Sequence, residues 1–191
     1  MGKLTLILGG ARSGKSSLAQ RLAETQNQPV LYIATAQGLD QEMIERIQRH
    51  KQERPMHWQT LEIPSHVRKN LTSNWTEAGF VLLDCSTLLI ANLLLETSID
   101  PDLLNENQAQ RAVQQEFEEL VDLIRSGKPD WVIVSNEVGM GLVPPYPLGR
   151  VYRDLLGWFN QRLAAVADEV IWMVAGIPIP ISQYRNQGLE P

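Results

Sequence analysis

Residues 9–16 read GGARSGKS, which fits G-x-x-x-x-G-K-[ST]. The spacing suits polyphosphate chemistry. Gly9, Gly10 and Gly14 let backbone N–H groups turn inward around phosphate oxygens, and the positive end of a following helix adds to the field. Ala11, Arg12 and Ser13 complete the loop. Lys15 is placed to reach the β- and γ-phosphates, and Ser16 to offer its hydroxyl to Mg²⁺. An acidic partner for that ion is expected at the end of another buried strand, and FVLLD at 80–84 puts Asp84 there. The same carboxylate would also serve as a cap for a helix starting at Ser86.

A second chemical candidate is RIQRHKQERP at 46–55, where His50 sits among Arg46, Arg49, Lys51 and Arg54. Met43, Ile44 and Ile47 form an apolar stripe, and Glu42/Arg46 and Glu45/Arg49 are opposite charges at helical spacing. By itself this reads as a solvated helix face with His50 turned to water. The competing reading is a nucleophile, since a neutral imidazole with a reference pKa of about 6.5 can attack phosphorus near neutral pH. These residues alone leave both readings open. His57 and His66 have no such setting and read as structural or surface histidines.

To work, these groups need a frame that brings them together. Short β-rich apolar runs alternate with segments of helical period, which is the pattern of a parallel sheet with helical crossovers. Strands are expected at 4–8, 30–35, 80–84, 131–135 and 169–175, with a weaker one at 57–63. Helices are expected at 14–26, 39–54, 86–96, 108–126 and 148–167. The fold class is therefore α/β, a P-loop NTPase-like and mostly parallel sheet with helices on both faces. Residues 1–178 form a single domain in this reading. Residues 97–107 read as a linker, and the Pro-rich tail 179–191 is expected to be disordered. The phosphate loop does not choose among kinase, switch and motor.

Composition narrows the classes. The net charge of −5 and pI near 5.2 argue against a nucleic-acid binder, so the phosphate chemistry must rest on a local cluster of cations. Cys85 is the only cysteine, which excludes an intrachain disulfide and favours a reducing compartment. No apolar run reaches the roughly 20 residues needed to cross a bilayer, so a cytoplasmic protein without a membrane span is expected.

Several stretches in order carry a resemblance: GGARSGKS, LYIATA (31–36), RIQRHKQERP, HWQTLE (57–62), LLDCSTLLIANLL (82–94), SNEVGMGLVP (135–144) and RVYRDLLGWFNQRLAAVADEVIWMVAGIP (150–178). Together they resemble the bifunctional adenosylcobinamide kinase/adenosylcobinamide-phosphate guanylyltransferase family of cobalamin biosynthesis. The combination of NEVGMG with the His50 setting is far more specific than a phosphate loop.

The resemblance implies two reactions. ATP or GTP phosphorylates adenosylcobinamide, and GMP then passes from GTP to adenosylcobinamide phosphate with release of pyrophosphate. It implies that His50 becomes covalently guanylylated and that Lys15 assists. Nucleotide contacts would come from Gly9 to Ser16, from Ala34, Thr35 and Ala36, from Lys51, Gln52, Glu53 and Arg54, and from Glu62 and Asp84. Glu62 would read guanine, and Mg²⁺ would sit on Ser16 and Asp84.

The segment NEVGMGLVPPYP falls at the carboxyl end of the sheet, where Asn136 and Glu137 would either face the corrinoid side chain or the metal, or simply shape a structural turn. A homo-oligomer, with a trimer as the expected state, is also implied. The segment PPYPLG at 144–149 departs from the family by its extra prolines. Two other readings of the loop are a monofunctional small-molecule kinase with an inert His50 and a nucleotide-dependent switch. Neither needs His50 in its cationic setting.

Overall fold

The computed structural model describes residues 2–71, 75, 77–97 and 104–185. The chain runs β1 (Leu4–Gly9), α1 (Lys15–Glu24), β2 (Val30–Ala34), α2 (Gln41–Gln52), β3 (Gln59–Glu62), α3 (Val67–Asn70) and β4 (Phe80–Asp84). It continues through α4 (Ser86–Thr97), α5 (Glu106–Ser126), β5 (Asp130–Asn136), α6 (Pro147–Val166), β6 (Glu169–Val174) and β7 (Ile177–Pro180). The strands make one sheet in the order β3-β2-β4-β5-β1-β6-β7, parallel throughout except for the antiparallel β6–β7 pair.

β1 and β2 are buried along their whole length, as continuous apolar runs covered on both faces should be. Side chains alternate between two cores. On one face Ile7, Tyr32, Leu82, Val132 and Val134 pack with Leu18, Ala19 and Ala23 of α1 and with Trp58. On the other, Leu6, Ile33, Leu83 and Ile133 meet Leu89 and Leu93 of α4, Val113 and Leu120 of α5, and Leu156 and Phe159 of α6. Burying each such Leu, Ile or Phe contributes about 1.5–3 kcal/mol, which fixes the register of β1, β2, β4 and β5.

That register aligns the carboxyl ends. Glu62 lies opposite Ala34, Ala34 opposite Asp84, and Asp84 opposite Val134, while Gly9 lies opposite Asn136. Residues from five strands therefore reach one rim, where ligands bind in open α/β sheets.

Three local readings differ from the sequence expectation. The boundary at 178 falls inside β7, and a short 3-10 turn follows at Ser182–Tyr184, so the described part of the expected disordered tail is ordered. Prolines disguised this strand. The Ile181 N–H donates to Val170, so the nitrogens of Ile179 and Ile177 face β6, while those of Pro178 and Pro180 face the open edge where no donor is needed.

In the expected 97–107 linker, α4 includes Thr97 and α5 begins at Glu106 behind an Asn105 cap. Residues 98–103 lie outside the described residues, as do 186–191. The third difference concerns α2. Among the described residues, Glu42 and Arg46 do not form an ion pair, nor do Glu45 and Arg49; all four line an open cleft, where exposed pairs gain little. No helix among the described residues is long and apolar enough to cross a membrane.

Candidate active site

The phosphate loop is shaped by what surrounds it. Gly9 has φ of 156°, and a Cβ there would stand 2.5 Å from the Met173 carbonyl oxygen, so no larger residue fits. Gly14 begins α1 with φ of 94°, a left-handed conformation that glycine adopts freely. The turn between β6 and β7 braces the loop, with the Gly176 N–H donating to the Ser13 carbonyl at 3.0 Å. Lys15 is buried, and its Nζ donates to the Gly10 carbonyl at 2.6 Å. Burial pulls the Lys15 pKa below the ordinary lysine value, and the nearby Cys85 and Asp84 partly oppose that shift.

Two adjoining cavities open from the loop. A cleft of about 680 Å³ runs between the loop and α2. A tighter pocket of about 60 Å³ lies beside it, lined by Tyr32, Ala34, Ala36, Met43, Ile47 and Leu88. Ser16, Arg46, His50, Asp84 and Cys85 line both. His50 thus stands on a wall shared by both cavities.

α2 is held in an unusual way. Asp40 caps it, accepting from the Met43 N–H at 2.7 Å, yet none of its residues is buried. The expected apolar stripe does not seat the helix on the core; instead, Met43 and Ile47 face the pocket. The His50 Nδ1 is buried without a hydrogen-bond partner, with the Glu53 carboxylate 3.9 Å away. Arg54 lays its guanidinium 3.6 Å above the Tyr32 ring, and its Nε and Nη1 are buried and unpartnered. Lys51 pairs with Glu62 across the pocket mouth.

Cys85 is the competing nucleophile on this wall. Burial, reinforced by the Asp84 carboxylate, pushes its thiol up to about 11, so it stays protonated and inert near neutral pH.

Most of the sequence-derived candidates converge. Ala11 to Ser16, Ala34, Ala36, His50, Lys51, Arg54, Glu62 and Asp84 all line one cavity or the other. Thr35 does not. Its hydroxyl donates to the Cys85 carbonyl and accepts from the Cys85 N–H, both at 2.8 Å, so it braces the backbone beside Asp84. Gln52 and Glu53 are exposed at the end of α2 and line neither cavity. Asp84 accepts from the Tyr32 hydroxyl at 2.8 Å. His66 lies 3.0 Å from Glu96, a structural tie away from the cavities.

Buried amides set the rim. The Asn92 amide donates to the carbonyls of Thr35 and Pro64, both at 2.9 Å. Asn160 accepts from Ser135 at 2.6 Å and donates to the Asn136 carbonyl at 3.0 Å. These residues, and Tyr32, escaped the sequence reading. The available signal was a polar group inside an apolar run, which must find a partner when buried.

The loop after β5 carries Met140, Leu142, Val143 and Tyr146 on its exposed surface. Its prolines have structural uses: Arg150 donates to the carbonyls of Pro144 and Pro145, and Pro147 opens α6 at a position where its missing N–H costs nothing.

Comparison with known proteins gives consistent matches. The cobinamide kinase / cobinamide phosphate guanyltransferase family model matches residues 5–181. The bifunctional adenosylcobalamin biosynthesis protein CobU of Salmonella typhimurium is 44% identical over 180 residues, covering 93% of this chain and 99% of its own length. CobU of Escherichia coli is 42% identical over the same shares, and CobP of Pseudomonas aeruginosa is 43% identical over 92% of this chain and 95% of its own. The RadB recombinase structure overlays on 90% of this chain and 74% of its own with a TM-score of 0.46 and 12% identity, too low to carry an argument.

Proposed function

Because this chain belongs to the cobinamide kinase / cobinamide phosphate guanyltransferase family, we propose a division of labour in which the phosphate loop serves both reactions and His50 serves only the second. The enzyme phosphorylates adenosylcobinamide and then transfers a guanylyl group to the resulting phosphate in cobalamin biosynthesis. One observation carries the division: His50 shares a cavity wall with Ser16 and Asp84, and Lys15 lines the larger of the two cavities.

In the kinase step the acceptor hydroxyl of cobinamide attacks the γ-phosphorus of ATP or GTP, and the nucleoside diphosphate leaves. Lys15 and the loop N–H groups hold the phosphates in line, which is most of what phosphoryl transfer requires. Asn136 lines the open cleft, and the exposed Met140, Leu142, Val143 and Tyr146 of the following loop offer an apolar surface suited to a corrinoid.

In the second step an imidazole nitrogen attacks the α-phosphorus of GTP. A P–N bond forms and pyrophosphate leaves. Glu53 is close enough to accept from Nδ1–H after a small closure, which leaves Nε2 as the attacking atom. Arg46 and Arg54 line the pocket, where their charges would oppose the negative charge that builds on the phosphate oxygens. The phosphate of cobinamide phosphate then attacks the same phosphorus, the P–N bond breaks, and the corrinoid GDP product forms. Glu62 reads guanine once Lys51 releases it.

The Ser16 hydroxyl and Asp84 carboxylate suit Mg²⁺, which takes one or two carboxylates together with phosphate oxygens; among the described residues no cluster of three or more His, Cys, Asp or Glu competes for a metal. When bound, Mg²⁺ neutralises charge between the phosphates. The reading extends to a cytoplasmic homotrimer, for which light scattering of the purified protein is the check.

The chemical test is the bond itself. Incubation with α-labelled GTP and Mg²⁺ should label the protein, and the label should survive alkali and be lost in mild acid, as a phosphoramidate is. An acid-stable label would remove His50 from this role.

A further inference from the structure

Tyr32 stands where the two halves of the site meet. It lies in the middle of β2, opposite Leu82 of β4, and is almost fully buried. Because side chains two residues apart share a face of the sheet, Asp84 lies one step further along the same face, within reach of a tyrosine hydroxyl. The hydroxyl donates to Asp84 Oδ2 at 2.8 Å. That contact fixes the carboxylate and leaves Oδ1 free.

The ring of the same residue has a second use. Arg54 sits 3.6 Å above its centroid, and Trp58 stacks on it at 6.5 Å with an interplanar angle of 25°. With no buried residue of its own, α2 depends on such contacts near its end to hold His50 in place. Arg54 follows α2 by two residues, so anchoring its guanidinium anchors the C-terminal end of the helix.

On the reading of His50 and Asp84 given above, we infer that Tyr32 is a positioning residue for both reactions: its hydroxyl orients Asp84 toward the metal, and its ring sets Arg54 beside His50. A single buried side chain thus couples the metal carboxylate to the guanylylated helix.

Tyr32→Phe and Tyr32→Leu in the full-length chain separate the two roles. Binding of Mn²⁺ in the presence of a non-hydrolysable GTP analogue, followed by electron paramagnetic resonance, reads the first directly. Phe should weaken Mn²⁺ binding by roughly 10–100-fold, the usual loss when a hydrogen bond to a metal ligand is removed. The Mg²⁺ concentration for half-maximal labelling from α-labelled GTP should rise by a similar factor, and saturating Mg²⁺ should restore the labelling rate. Leu should show the same Mn²⁺ loss together with a labelling rate that saturating Mg²⁺ does not restore.

Wild-type Mn²⁺ affinity in the Phe variant would overturn the inference. So would Phe and Leu variants that label alike at saturating Mg²⁺. Should the Leu variant fail to fold, the Phe result decides alone. A wild-type protein that takes no label would instead defeat the His50 reading, while the Mn²⁺ measurement would still report on Tyr32 and Asp84.

Discussion

Arg54 gives a prediction in which stability and activity move apart. Its Nε and Nη1 are buried without partners. Each unsatisfied donor costs about 1–3 kcal/mol, while the stacking on Tyr32 returns about 0.5–2 kcal/mol. The guanidinium is therefore a net burden on the free protein. Arg54→Met keeps much of the apolar stem and deletes the charge, so it should leave stability unchanged or raise it by about 1–2 kcal/mol. At about 2–4 °C per kcal/mol for a chain of this size, the melting temperature should rise by several degrees.

Guanylylation should respond in the opposite direction. Two charge-assisted hydrogen bonds to the α-phosphate are worth about 1.5–3 kcal/mol each, so the labelling rate should fall by roughly 10²–10⁴. Thermal melts and single-turnover labelling with α-labelled GTP, on the same preparations, give both numbers. A variant that is clearly less stable yet labels normally would refute the reasoning, because Arg54 would then be a structural brace with no anion to meet.

Further outcomes follow from other buried groups. Since burial lowers the Lys15 pKa and only the ammonium form holds phosphate, kcat/KM for GTP should fall as pH rises through a limb below the ordinary lysine range; bound phosphate should push the corresponding limb in kcat higher, and Lys15→Arg should move it out of range. Asn92→Leu leaves the Thr35 and Pro64 carbonyls without their donor and should cost about 2–4 kcal/mol in urea unfolding, with slower labelling because Thr35 braces the strand end beside Asp84. Glu116 accepts from the Val67 N–H but is buried, and burial raises its carboxyl above the ordinary value. A raised carboxyl favours the folded state most below its unfolded pKa and loses that advantage as pH rises, so Glu116→Gln should gain stability over wild type in melts at pH 8 and lose that gain in melts at about pH 4.

What the sequence made legible had local form. The phosphate loop is a contiguous string whose glycines answer to immediate backbone needs, and Asp84 closes an apolar run that can only be a buried strand. Strand and helix alternation made the α/β class readable, and the register that follows from it aligned Glu62, Ala34, Asp84 and Asn136 at one rim. The features missed depend on distant partners. Tyr32 sits in VLYIA as one more β-former, and nothing nearby reveals that its hydroxyl meets Asp84 or that its ring meets Arg54. β7 hid behind its prolines, since only the orientation of an edge strand makes Pro178 and Pro180 acceptable. The i,i+4 charges of α2 fitted a helix template, but the helix turns them toward an open cleft, where no pair forms.

In the proposed division of labour, His50 carries GMP in the second reaction and takes no part in the first. Asn at position 50 is similar in size and polarity, but its amide is a poor nucleophile. The decisive measurement is chromatographic product analysis of His50→Asn supplied with GTP, Mg²⁺ and cobinamide together. Cobinamide phosphate should accumulate, the protein should take no label from α-labelled GTP, and the corrinoid GDP product should be absent. Formation of that product by the variant at a rate near wild type would contradict this division, because GMP would then travel directly or on another residue.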